Sequence, residues 1–370
     1  MATHHCRVSA CLIVKNEERF LEGCLGSIKH VVDEIIIGDT GSTDQTPAIA
    51  RQMGARLYHI PWTDNFSDAR NQVLGLATGD WILSMDADER LRFVTRLEIE
   101  PFLNDPATIA YHVSLYPKTG WTGMWVLRLF RNDPELRFRG IFHETPWKGL
   151  AKVLSRDAKE IGLSPLVLDH LGYDDGNNQH EKLMRNCSLL LKEVEINPAN
   201  AYAWSHLGLV YSDLGEDALA ENAWQRAIGM IKRNMTSPIY AYIYYIEWLI
   251  EKNRSVWGLL TEAMENAPDN PYLYWFKGRL LMDEARYDEA LPLFERLVLW
   301  GKRRVFNRSL MAYPACIFDV YAYDSLATCH FKIGNYAEAQ KNFEEAEKSG
   351  PNPMAYKVKR QLCEAMLKSD

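Results

Sequence analysis

The sequence predicts an α/β domain with a mostly parallel, Rossmann-like sheet over residues 1–175, followed by an all-α repeat region over residues 176–370. Three observations predict it: short β-branched runs alternate with amphipathic stretches up to about residue 175, the strand signal fades after residue 178, and a helical motif recurs through the second half. In order, CRVSACLIV (6–14) reads as a strand, ERFLEGCLGSIKH (18–30) as a helix, and EIIIG (34–38) as a strand. Asp44–Met53 reads as a helix and ARLYHI (55–60) as a strand, and a helical stretch at 66–77 leads into WILSM at 81–85.

The second half is explained by self-similarity. Trp204, Leu207, Gly208, Tyr211, Ala220 and Ala227, with Trp224 in the usual phenylalanine place, fit the 34-residue tetratricopeptide pattern. Tyr274, Gly278, Ala290 and Phe294 repeat it, as do Tyr323, Leu326, Ala339, Phe343, Ala346 and Pro351. A degenerate copy keeps Tyr240, Ala263 and Pro268. Repeats are expected near 201–234, 237–270, 271–304 and 320–353, with a terminal helix at 354–368. The last spacing is about 15 residues too long for the period, so one loop near GKRRVFNRSLMAYPACI (301–317) is enlarged. The small and aromatic residues are knobs and holes between paired helices. Such an array takes a peptide, a protein or a second copy of itself on its concave surface or end.

Composition excludes several classes. With 42 basic against 49 acidic residues, the net charge of −7 argues against nucleic-acid binding through a strong positive field. The charge-free run from Asn234 to Ile246 is shorter than the roughly 20 apolar residues of a bilayer-spanning helix, so no membrane span is expected. The apolar run Val8–Val14 reads as a first strand and not as a signal peptide, and a cytoplasmic location is expected. Seven cysteines without a CxxC pair read as core thiols. Neither a G-x-G-x-x-G nor a P-loop is present, which removes the main support for dinucleotide oxidoreductases and P-loop enzymes.

The chemistry concentrates in four places. Asp86-Ala87-Asp88 follows the apolar strand WILSM; in an extended segment both carboxylates leave on one face while Ala87 points the other way. Two hard oxygen donors there suit Mg2+ or Mn2+ completed by a diphosphate, against the plainer reading of a surface turn. Asp39 ends EIIIG where open α/β sheets bind ligands, and Gly41, Ser42 and Thr43 continue it as loop. Pro47 confines the next helix start, making Asp44 a structural N-cap and leaving Asp39 to accept from a base N–H. Arg70 falls on or beside the buried stripe of DNFSDARNQVLGLA, where it is either an internal ion pair or a contact to phosphate or to the acidic motif. In RFRGIFHETPWKG (137–149) the alternation suggests a strand ending with His143 and Glu144 exposed. There His143 can serve as a metal ligand and Glu144 as a general base, or the two are an ordinary surface pair.

With Asn16-Glu17, EIIIGDTGSTDQT, FSDARN and MDADER in this order, the first half resembles the family-2 glycosyltransferases of GT-A fold. The resemblance implies that Asp39 binds the uracil of a UDP-sugar, that Asp86 lies near ribose and donor, and that Asp88 holds the metal. It also implies a donor site including Asn16, Glu17, Ser42, Arg70 and Ala87. Thr40 stands where many members carry a second Asp, so the resemblance implies no second carboxylate contact there. FRGIFHETP, DHLGY (169–173) and the repeat tail extend the likeness to sublancin-type peptide S-glycosyltransferases and lipopolysaccharide-core glucosyltransferases. By this analogy His143 joins the metal or diphosphate shell, Glu144 and Arg70 assist the chemistry, and His170 and Tyr173 close the site. The implied activity is inverting, Mn2+- or Mg2+-dependent transfer of a hexose or N-acetylhexosamine from UDP-glucose or UDP-GlcNAc to a peptide or protein presented by the repeats. A homodimer through the repeats is a further expectation. The alternative acceptor is a glycolipid, with Lys302, Arg303, Arg304 and Arg308 touching phosphate; as a solvated cluster these residues carry no such meaning.

Overall fold

The computed structural model describes residues 5–142, 144–172, 179–231, 239–309 and 311–368. The first elements are β1 (Val8–Val14), α1 (Leu21–Ile28), β2 (Glu34–Asp39), α2 (Thr46–Gln52), β3 (Arg56–His59), α3 (Phe66–Leu74) and β4 (Trp81–Ser84). Then come β5 (Glu89–Leu91), α4 (Arg96–Leu103), β6 (Thr108–Tyr116), β7 (Met124–Arg131), α5 (Trp147–Asp157) and β8 (Glu160–His170). One eight-stranded sheet has the order β3-β2-β1-β4-β7-β6-β8-β5. The half formed by β1 to β4 is parallel; β7 runs antiparallel between β4 and β6, and β5 antiparallel on β8. This is the predicted α/β architecture.

The central strands are apolar on both faces because both faces are covered. Leu12, Ile37 and Leu83 join Leu21, Leu25 and Ile28 of α1 in one core. Their neighbours Cys11, Ile36 and Ile82 point to the other side, against Val73 and Leu74 of α3. Helix α2 starts at Thr46 with Pro47 in its first turn, and Gln45 rather than Asp44 is the N-cap residue. Asp44 nevertheless does the structural work expected of it: Oδ1 accepts from Thr46 N–H at 2.9 Å and Oδ2 from Glu18 N–H at 3.1 Å.

The helical part comprises α6 (Gln179–Ile196), α7 (Ala201–Asp213), α8 (Asp217–Ile231), α9 (Tyr240–Glu251), α10 (Trp257–Asn266), α11 (Pro271–Asp283) and α12 (Tyr287–Arg303). It ends with α13 (Val320–Lys332), α14 (Tyr336–Ser349) and α15 (Pro353–Leu367). Successive helices pack on one another, as α11 does on α12 and α13 on α14. Asn200, Asn270, Asn335 and Asn352 start helices α7, α11, α14 and α15 by accepting a first-turn N–H through their side chains. Trp224 of α8 is buried and donates its indole N–H to Ser205 O of α7 at 3.1 Å. No helix among the described residues is long and apolar enough to cross a membrane.

Contacts divide the chain into Met1–Thr119 with Gly123–Met230, and Gly120–Thr122 with Ile231–Asp370. Secondary structure changes from strand to helix near the expected 175/176 boundary, yet α6, α7 and nearly all of α8 fall in the first unit. The reason is local: Phe142 packs against Cys187, Leu190 and Val194 of α6 and Leu207 of α7. Within the second unit, the enlarged connection between α12 and α13 is a packed plug. Tyr313 is fully buried there against Tyr272, Phe306 and Phe318. Lys302 and Arg303 sit in the last turn of α12, where cations complement the helix dipole, and Lys302 lies 5.4 Å from the Tyr323 ring.

Candidate active site

The carboxyl ends of β1 and β2 carry two interlocked loops. Asn16 adopts a left-handed φ of 56°, a conformation asparagine tolerates, and its Oδ1 accepts from Thr43 N–H at 2.8 Å. Ser42 Oγ accepts from Asn16 N–H at 3.0 Å, and Asp39 Oδ1 accepts from Ser42 N–H at 3.0 Å. Thr46 Oγ1 accepts from Glu17 N–H at 2.7 Å, so the Asn16-Glu17 loop is held against the Asp39–Ser42 loop. Thr40 is buried and its hydroxyl donates to Val14 O at 3.0 Å, which accounts for its presence without a ligand role.

Asp86-Ala87-Asp88 is a turn and not the extended segment expected, because Glu89 N–H donates to Asp86 O at 3.1 Å and closes it. Ala87 is buried in the core, as its intervening position predicts. The two carboxylates have different company. Asp86 accepts from Arg70 Nη2 at 2.6 Å through Oδ1 and from Arg128 Nη2 at 2.7 Å through Oδ2. Burial alone would raise the Asp86 carboxyl, but the two guanidiniums outweigh it and hold it far below the usual carboxylate range. Asp88 has Oδ2 3.4 Å from His170 Nε2, and Asp88 O accepts from Leu171 N–H at 2.9 Å. Burial pushes the Asp88 carboxyl up, against His170 and reinforced by Asp86. Glu17 faces the same acids: burial and then Asp88 push its carboxyl up to about 7.

Arg70 makes internal ion pairs, one of them to the acidic motif. Only 8% exposed, it donates through Nε to Glu144 and through Nη2 to Asp86, with its guanidinium 5.4 Å from the Phe138 ring. Its Nη1 is buried with no hydrogen-bond partner among the described residues. Glu144 is thus tied inward, its side chain 9% exposed, and not displayed at a strand end. The expected strand over 138–142 is absent because Gly140 takes a φ of +104° and Arg139 pairs with Thr145. Ile141 N–H donates to Glu193 of α6, and Phe66 N–H of α3 to Ile141 O, pinning this loop. His143 and Tyr173 lie outside the described residues.

Sequence reasoning missed Glu89, Arg128 and Gly172. Glu89 is fully buried; burial pushes its carboxyl up to about 7 while Arg128 pulls the other way. The one available signal for Arg128 was a charge inside the apolar run MWVLRLFR. A Cβ on Gly172 would lie 2.0 Å from Asp88 Oδ2, so the glycine keeps space beside that carboxylate.

Divalent-metal capacity follows from this inventory. Among the described residues no three His, Cys, Asp or Glu side chains form a ready-made metal cluster. Both oxygens of Asp86 are taken by guanidiniums, whereas Asp88 and His170 offer a carboxylate and an imidazole beside the Gly172 space. That pair fits Mn2+, or Mg2+ through the carboxylate, with a diphosphate completing the shell.

Sheet, turn and strand-end loops define a GT-A-type α/β domain with an acidic site at the carboxyl ends of its strands. Residues 9–153 match the model of glycosyl transferase family 2 and residues 320–352 that of a tetratricopeptide repeat; the chain carries a domain of the first and a repeat of the second. A TPR repeat-containing protein of Synechococcus elongatus is 35% identical over 253 residues, covering 66% of this chain and 61% of the relative. The SPbeta prophage-derived glycosyltransferase SunS of Bacillus subtilis is 25% identical over 260 residues, covering 67% and 60%. The chain thus spans about 60% of the length of these two curated relatives. Among solved structures, glucosyl-3-phosphoglycerate synthase from Mycobacterium tuberculosis, in complex with Mn2+, UDP and glucosyl-3-phosphoglycerate, is 19% identical with a TM-score of 0.37, covering 50% of this chain and 78% of that one.

Proposed function

We propose that the protein is an inverting, metal-dependent glycosyltransferase that moves a hexose or N-acetylhexosamine from a UDP-sugar to a peptide or protein acceptor in the cytoplasm. The observation that carries this reading is Arg70, a buried guanidinium that holds Asp86 and Glu144 and whose Nη1 has no hydrogen-bond partner among the described residues. A buried donor without a partner costs about 1–3 kcal/mol, and a charge-assisted bond from an anionic ligand oxygen would offset it.

In this reading Asp39, Asn16, Glu17 and Ser42 form the pocket for the nucleoside base. Asp88 and His170 hold Mn2+ or Mg2+, which when bound neutralises the charge growing on the leaving diphosphate. Arg70 keeps Asp86 and Glu144 in place and binds the diphosphate through Nη1. Glu144 is the candidate to take the acceptor proton, on the face opposite the leaving group, so that the anomeric centre inverts. A cysteine thiol acceptor, of unperturbed pKa about 8.5, needs less help from such a base than an alcohol does. The repeats present the acceptor and offer a surface to a second copy.

The test is incubation with UDP-glucose and UDP-GlcNAc in the presence of Mn2+, reading UDP release and the intact mass of candidate acceptors. One donor should be turned over, and Asp88→Asn should abolish the turnover. Equal UDP release by that variant would refute the assignment, and transfer to glycolipid but not peptide would overturn the acceptor.

A further inference from the structure

Building on the proposed transfer reaction, we infer that Glu89 and Arg128 are positioning residues: they lock the Asp86–Asp88 turn so that Asp88 meets the cation-bound diphosphate in one geometry. Asp86, Glu89 and Arg128 close a ring. Glu89 Oε2 accepts from the Asp86 backbone N–H at 2.9 Å, Glu89 Oε1 accepts from Arg128 Nη2 at 2.6 Å, and the same Nη2 returns to Asp86 Oδ2 at 2.7 Å. Main chain and side chain of Asp86 are therefore fixed by one carboxylate and one guanidinium. Arg70 holds the other oxygen of Asp86, so neither oxygen is left to swing toward a ligand.

This arrangement divides the labour of the acidic motif. Asp86 becomes an anchor with its charge compensated on both sides, and Asp88, two residues on, is the carboxylate left to meet a cation. The ring joins two distant segments, since Arg128 stands on β7 and Glu89 opens β5. Buried ion pairs seldom add stability over apolar residues of similar size. Orientation of a ligand by a second set of residues is the role that justifies one here, and loss of such support commonly costs 10–100-fold in metal affinity.

Glu89→Gln tests it. The amide keeps the volume of the carboxylate but puts an NH2 donor where one of the two oxygens stood, so either Asp86 N–H or Arg128 Nη2 faces a donor and loses its bond. UDP binding to the full chain is measured by calorimetry, with Mn2+ and with chelator. The expected result is a roughly tenfold or greater weakening of UDP binding with Mn2+ and unchanged binding of UDP alone, a split that general loss of structure does not produce. Glu89→Leu/Arg128→Leu, which removes both charges together, should behave alike and serves if the single variant does not fold. Wild-type-like Mn2+ dependence in either folded variant would overturn the inference while leaving the transfer reaction standing. Failure of both variants to fold would mark the ring as a stability element and overturn it too. Absence of any UDP binding by the unaltered chain would instead refute the transfer reading, and this inference with it.

Discussion

Gly172→Ala probes the site through a residue that carries no chemistry of its own. The added Cβ would stand 2.0 Å from Asp88 Oδ2, 3.0 Å from its Cγ and 3.3 Å from its Cβ, where ordinary contact starts at 3.4 Å. Something must withdraw by roughly 1.4 Å, and the backbone is the stiffer partner. Leu171 N–H is bonded to Asp88 O at 2.9 Å, and β5 is paired to β8 with Glu89 opposite His170. Opening the backbone loses a hydrogen bond of about 1 kcal/mol, whereas rotating a carboxylate toward solvent costs little. Asp88 therefore moves, and the fold stays. A misplacement of about 1 Å at a reacting centre is worth on the order of 100-fold in rate, so UDP release at saturating donor should fall by about that factor. The paired control is the thermal midpoint, which should shift by less than a few degrees. Full turnover by a variant of unchanged stability would show that the position of the Asp88 carboxylate does not matter to the reaction, and the site would have to be redrawn.

Two other perturbations report on the charges around this carboxylate. Arg70→Met leaves Glu144 and one oxygen of Asp86 without their buried partner; removal of one member of such a pair should cost about 3–5 kcal/mol, seen as a lowered urea midpoint, and an unchanged midpoint would count against the pairing. Glu17 gives a pH signature in metal-free buffer. Its folded-state pKa of about 7 lies above the ordinary 4.5, so the stability it lends is present below about pH 4.5 and is lost as pH rises through about 7. The thermal midpoint of the unaltered chain should fall over that window relative to Glu17→Gln; parallel profiles would show that burial and Asp88 do not raise the Glu17 carboxyl.

What could be read from the chain without its structure was what local pattern encodes. Apolar runs marked β1, β2 and β4, Pro47 marked the first turn of α2, and the spacing from Trp204 to Ala227 marked a helix pair. Asp39, Arg70, Asp86 and Asp88 stood out because each polar residue interrupts or ends an apolar stretch, and the fold places all four at buried or half-buried positions around the strand ends. The partners of those residues were not legible, since they come from pairings distant in sequence. Antiparallel insertion of β7 beside β4 sets Leu129 against Leu83, and with it Arg128 against Asp86. Pairing of β5 with β8 sets His170 opposite Glu89 and against Asp88. A left-handed glycine at 140 turned an alternating run into a loop and drew Glu144 inward to Arg70. Local pattern thus nominates the charged groups, while strand pairing decides their partners. In this chain the partners separate two aspartates that look equivalent in the motif: Asp86 is compensated by two guanidiniums, whereas Asp88 lies beside one imidazole and the space kept by Gly172.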